Sequence, residues 1–144
     1  AEVCDAAARA LTQLDVAPID HAVAERMGAV SGLEAMQRIY PEMKRRGIRV
    51  VPGGDYGFPY NPVGRNARDL ELFVDLLGYT PTEALVAATR TGGEMVGMDV
   101  GTIEPGRLAD LLLVDGDPTS DVRILQDVTR ITAVMQDGAF HRAP

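Results

Sequence analysis

Cysteine occurs once in these 144 residues, tryptophan not at all and histidine only twice. Each scarcity excludes something. The single Cys4 cannot close an internal disulfide and suits a reducing compartment. His21 and His141 form no His-x-His pair, no Cys or His partner stands at a metal-binding spacing, and both read as solvent-facing imidazoles. Basic residues number 14 against 21 acidic ones, for a net charge of −7. Nucleic acid and anionic membrane are therefore not expected partners. The one basic cluster, Lys44-Arg45-Arg46, precedes Gly47, where cations favour a helix C-terminus. The run Leu111-Leu112-Leu113-Val114 is far short of a membrane span, and no signal-peptide pattern opens the chain. A soluble, cytoplasmic protein is expected. The Gly53-Gly54 and Gly92-Gly93 pairs match no phosphate or dinucleotide fingerprint, and Asp115, Asp117 and Asp121 read as turn residues rather than a calcium loop.

Helical periodicity dominates up to Met98. Residues 2–14 are rich in alanine and predict a first helix, and Asp20 looks like the cap of a second. Ala29, Leu33, Met36, Tyr40 and Met43 form an apolar stripe on it, with a break expected at residues 30–32 or at Pro41 and an end at Gly47. Residues 48–51 (Ile-Arg-Val-Val) have the composition of a strand. Asn66 is placed to cap a helix with Leu70, Phe73, Val74 and Leu77 on one face, stopped by Gly78. Thr80-Pro81-Thr82-Glu83 has the pattern of a capping box, and Thr91-Gly92-Gly93-Glu94 repeats it. Beyond Met98 the pattern turns to strands at 109–114 and 131–135, with Gln136-Asp137-Gly138-Ala139 as a hairpin turn.

The stretch Val50-Val51-Pro52-Gly53-Gly54-Asp55-Tyr56-Gly57-Phe58 carries the chemistry. A short β-branched segment empties into two glycines and a carboxylate. In α/β proteins, chemistry collects at the carboxyl ends of parallel strands. Asp55 is either a turn residue accepting backbone hydrogen bonds or a group for metal binding or proton transfer. The loop from 56 to 65 holds three of the chain's seven aromatics, counting four tyrosines and three phenylalanines. Tyr56, Phe58, Tyr60, Asn61 and Arg65 are its candidate substrate contacts. Asp69, on the helix that follows, is expected to matter little by comparison.

Together with Gly101-Thr102-Ile103-Glu104-Pro105-Gly106-Arg107-Leu108-Ala109-Asp110-Leu111 and Thr80-Pro81-Thr82-Glu83-Ala84-Leu85, this stretch resembles the C-terminal part of the metal-dependent amidohydrolases, the imidazolonepropionase-like branch in particular. The resemblance runs from about Met36 to Arg142. It implies an α/β fold: residues 1–98 as the end of a (β/α)8 (TIM-like) barrel, with strand eight at 48–51, and 99–144 as the C-terminal strands of a small β-sandwich. It implies that Asp55 ligates a catalytic divalent metal, zinc by family habit and one or two ions, and takes a proton from its water. Gly54 departs from the family, where Thr or Ser is common. A complete barrel takes about 250 residues, and the family's remaining ligands are not in this sequence.

Two readings follow. The first is part of a hydrolase that cleaves a C–N bond, amide or cyclic amide, in a small-molecule substrate. In that case the rest of the barrel, or another chain, is required. The second is a non-catalytic, amidohydrolase-derived subunit for assembly or small-molecule binding. Homo-oligomerisation is compatible with either.

Overall fold

The computed structural model describes residues 21–58 and 61–144. The predicted helix at 2–14 and the capping role of Asp20 lie outside them, as does Cys4. Helix α1 (His21–Arg26) is followed by α2 (Ala29–Arg45). The break between them falls at Met27 and Gly28, earlier than the expected 30–32, because Gly28 adopts the left-handed φ of 74°. Pro41 lies inside α2 without ending it. The apolar stripe of α2 is not buried as expected. Leu33 and Met36 remain open to solvent, while Tyr40 packs on the core. The described residues place nothing over the N-terminal half of that face.

Residues 48–51 belong to no β-ladder among the described residues, contrary to the expected buried strand. Ile48 is exposed, and only Val50 packs against the core. Their composition suits a strand, but a strand requires a paired neighbour to satisfy its backbone groups.

The core begins with α3 (Arg68–Leu77). Leu70, Phe73 and Leu77 recur at helical spacing and are all buried. Asn66 does not cap α3. Its side chain instead accepts from the Gly64 amide at 3.3 Å. Gly78, at φ 76°, closes the helix as expected. The Phe73 and Tyr79 rings then meet at 5.0 Å between centroids.

Helix α4 (Pro81–Val86) opens with the full capping box. Glu83 accepts from the Thr80 amide at 2.8 Å, and the Glu83 amide donates to Thr80 Oγ1 at 3.3 Å. Lys44 reaches the same carboxylate at 2.6 Å, so this cation is an inter-helix tether rather than part of a solvated helix end. Arg45 and Arg46 instead pair with Glu42. The hydrogen bond from Lys44, then that from the Thr80 amide, holds Glu83 below its ordinary value of 4.5. A depressed carboxylate pKa contributes stability that is complete above the unfolded value and disappears as pH falls through the folded one. Glu83→Gln is therefore expected to flatten the acid limb of a plot of urea midpoint against pH, leaving midpoints near the low end of that plot unchanged.

The second capping box does not form. Thr91 is itself helical, because α4 continues through a π-helical turn (Ala87–Thr91) into α5 (Gly92–Val96). The chain then doubles back. Gly101, at φ 84°, lies so close to the turn that a Cβ there would stand 2.9 Å from the Arg90 amide nitrogen.

Beyond it, β1 (Leu111–Val114), β2 (Ile131–Gln136) and β3 (Ala139–Arg142) form an antiparallel sheet in that order. Asp137 and Gly138 both have positive φ, the conformation an Asp-Gly hairpin turn requires. Between β1 and β2, Asp121 caps a short 3₁₀ helix (Val122–Gln126). Val122 is 1% exposed and joins the cluster of Leu70, Phe73, Leu77, Ala84 and Ala87. Arg123 reinforces the join, reaching Asp75 at 2.6 Å and Glu71 at 3.1 Å. The 3₁₀ segment thus shares the core of the helical part, while Ala133, the buried residue of the sheet, lies outside that cluster.

Much apolar surface is left over. Leu112 is 59% exposed, Leu113 54% and Ile103 88%, with Met95, Val96 and Met98 nearby in sequence. Surface of this kind marks an interface or an aggregation hazard. The chain on its own is expected to sediment as a concentration-dependent associating species and to bind a hydrophobic dye. A compact monomer that ignores the dye would contradict this.

Candidate active site

Asp55 stands where the extended segment 48–51 gives way to the glycine pair. Its φ of 50° is left-handed, unusual for a residue with a side chain, and its side chain is exposed. It lines an open cleft of about 640 Å³. The cleft is walled by Pro52, Tyr56, Val63, Asn66, Ala67, Leu70 and Ala88, and the carboxylates present are Asp55 and Asp69. Ala88 comes from the π-helical turn, a feature often found at functional sites.

Tyr56 donates its hydroxyl to Asp69 Oδ1 at 2.6 Å. Partial burial, reinforced by the Asp69 carboxylate, pushes this phenol above its ordinary value, so Tyr56 stays neutral and donating. Gly54 makes the arrangement possible. A Cβ there would stand 2.8 Å from Asp69 Oδ1 and 2.9 Å from Tyr56 Cζ, inside the ring's own space. Gly54 is thus matched to the tyrosine two residues on.

The other loop residues divide. Asn61 donates its side-chain amide to the Gly54 carbonyl and so braces the backbone beside Asp55. A tight turn holds it there: the Gly57 amide donates to the Asn61 carbonyl at 2.9 Å and the Asn61 amide to the Phe58 carbonyl at 3.0 Å. Phe58 is half exposed and Arg65 exposed, and neither lines the cleft. Tyr60 lies outside the described residues. Asp69, expected to matter little by comparison with Asp55, forms part of the cleft wall. Nothing local in the sequence marks it, because its partner is thirteen positions earlier and only the turn at 57–61 and the start of α3 bring the two together.

Asp117 and Asp121 behave as the turn reading expects. Asp117 accepts from Thr119 and Ser120, and Asp121 from the Arg123 amide. His21 and His141 are exposed. Among the described residues, no three His, Cys, Asp or Glu side chains come together as a metal site. A catalytic zinc needs about three protein ligands and a water. The described residues by themselves therefore do not fit such an ion, and Asp55 offers at most one ligand. No helix among the described residues is long and apolar enough to cross a membrane.

The ochratoxinase of Aspergillus niger is 27% identical over 110 residues, covering 74% of this chain and 22% of its own length. The imidazolonepropionase of Pyrobaculum arsenaticum is 39% identical over 75 residues, 51% of this chain and 19% of its own. Among solved structures, a putative prolidase from Bifidobacterium longum superposes with a TM-score of 0.65 at 30% identity, over 73% of this chain and 26% of its own. The A. niger ochratoxinase structure gives 0.65 at 25% identity, over 75% and 25%. The chain thus spans about a quarter or less of the length of these relatives. The sequence profile described as the amidohydrolase family matches residues 12–140, nearly the whole of the chain. With hydrolases as its named relatives, this chain belongs to the amidohydrolase family.

Proposed function

We propose that the chain is the C-terminal part of an amidohydrolase that cleaves a C–N bond with activated water, and that Asp55 is its contribution to the catalytic centre. The observation that carries this reading is the position of Asp55, held with left-handed backbone at the end of 48–51 and facing an open, mostly apolar cleft. A strand-end acid that served only as a turn residue would spend its oxygens on nearby amides, as Asp117 does. The match of family members that act on amide bonds supports the same chemistry.

In the assembled enzyme, residues 48–51 pair as strand eight of the barrel and the segment after Met98 joins a β-sandwich. A divalent metal, zinc by family habit, would be held beside Asp55 by ligands from outside this chain and would supply the activation of water. The chain's own residues act on the substrate side. Asp55 accepts a proton, Asn61 fixes the Gly54 backbone beside it, and Tyr56 shapes the wall of the cleft. Phe58, Tyr60 and Arg65 contact substrate at the rim. Substrate is a small amide or cyclic amide, and the chain alone does not turn it over.

The alternative, a non-catalytic assembly or small-molecule-binding subunit, draws on the absence of a three-ligand metal cluster among the described residues. Amide hydrolysis and metal content, compared between the chain alone and the chain joined to a barrel portion carrying the missing ligands, separate the two. The hydrolase reading expects stoichiometric metal and turnover only in the joined protein. An active-site metal bound equally well without Asp55, or no turnover in the joined protein, would favour the alternative.

A further inference from the structure

We infer that Asp69 is a positioning residue that locks the Tyr56 ring as an apolar wall beside Asp55, so that the cleft selects substrates carrying an apolar group next to the bond to be cleaved. The inference rests on the hydrolase reading above and adds to it the class of group accepted and the residue that enforces it. Three observations converge. The Tyr56 hydroxyl is committed to Asp69 at 2.6 Å, and both residues line the cleft, so the hydroxyl's proton is taken and the ring is held in place. Gly54 lacks the Cβ that would displace that ring, a Cβ that would fall 2.9 Å from Tyr56 Cζ and 2.8 Å from Asp69 Oδ1. The rest of the lining is mostly apolar, Pro52, Val63, Ala67, Leu70 and Ala88, with Asn66 as its neutral polar side chain and Asp55 and Asp69 as its carboxylates.

An anionic substituent placed there would lose its water and face Asp55 and Asp69 in place of a cation, whereas an apolar one loses nothing by leaving water. A tyrosine free to rotate would bring a hydroxyl into the same space and weaken that discrimination. Asp69 prevents this. The phenol of Tyr56 meets a charge-assisted acceptor on α3, and such bonds are roughly twice as strong as neutral ones. Residues 54, 56 and 69 are therefore one device: a missing side chain, a ring that fills the gap, and a carboxylate that pins the ring.

Two measurements on the 144-residue chain test this. The first is a double-mutant cycle in urea unfolding with Tyr56→Phe, Asp69→Ala and both changes. If the two groups act together, the second change shifts the midpoint little once the first is made. Fully additive shifts would overturn the lock.

The second measurement is calorimetric binding of N-acetyl-phenylalanine amide against N-acetyl-aspartate amide. The parent chain is expected to prefer the apolar probe by about tenfold or more, each tenfold being one 1.4 kcal/mol step in affinity. Asp69→Ala and Gly54→Ala should each erode the preference, whereas Tyr56→Phe, which brings no hydroxyl into the cleft, and Asp69→Asn, whose amide oxygen still accepts from the phenol, should retain most of it. A residue that only stabilised α3 would shift the unfolding midpoint without moving this ratio. Binding of neither probe, equal binding of both, or a preference indifferent to Asp69→Ala would overturn the inference. Absence of amide turnover in the joined enzyme would sink the hydrolase reading and leave both measurements decisive for the wall.

Discussion

Asp55→Asn in the assembled enzyme is expected to lower turnover by more than the roughly 10²–10⁴-fold that loss of a general base alone produces. The substitution preserves size and most hydrogen bonding. It removes the negative charge that holds a cation and the basic oxygen that accepts a proton. If one carboxylate serves both ends, both losses occur together, and metal affinity should weaken alongside rate. Folding should change little, because Asp55 is exposed and lies outside the core cluster. Turnover and bound metal, each measured at saturating metal, check the expectation. Glu34→Gln, on the exposed surface of α2, is the comparison expected to leave turnover unchanged. Asp69 is unsuited to that purpose, because it sits on the cleft wall holding Tyr56. Near-normal turnover in Asp55→Asn would reduce Asp55 to a turn residue.

The largest stability effect is expected from Phe73→Ala. Phe73 is buried in the cluster, flanked along α3 by Leu70 and Leu77, and its ring meets that of Tyr79 in a tilted contact. Buried Phe→Ala changes cost about 3–5 kcal/mol, from lost transfer energy plus the cavity left behind. Whole domains are stable by only about 5–15 kcal/mol. The core here is small and shared by the helical part and the 3₁₀ segment through Val122, so a cavity at Phe73 loosens both. Loss of most of the helical signal at a temperature where the parent is folded, read by circular dichroism, is the expected result. Phe140→Ala, on β3 and 56% exposed, should barely move the transition of the isolated chain. Equal shifts from the two changes would mean that the core lies elsewhere.

What the sequence determined by itself is local, or carried by motif. The apolar spacing of Leu70, Phe73 and Leu77, the stop at Gly78, the capping box at Thr80 and the Asp-Gly hairpin each depend on neighbours within four positions, and all stand as read. The family was legible for a related reason, since its motifs are short and contiguous and the matching profile spans residues 12–140. The readings that failed needed distant partners. Residues 48–51 have a strand's composition without a strand's pairing, and the α2 stripe has apolar residues without a cover over its N-terminal half. Thr91 carries a cap's sequence but lies inside a helix that the π-helical turn prolongs. Asn66 turned its side chain to Gly64 instead of to α3. The cleft itself belongs to tertiary structure. Asp55 could be picked out as a strand-end acid, but only the fold brings Asp69 to Tyr56 and makes Gly54 the residue that leaves room for the ring, because contacts between positions thirteen and fifteen apart are set by how the loop turns back onto α3.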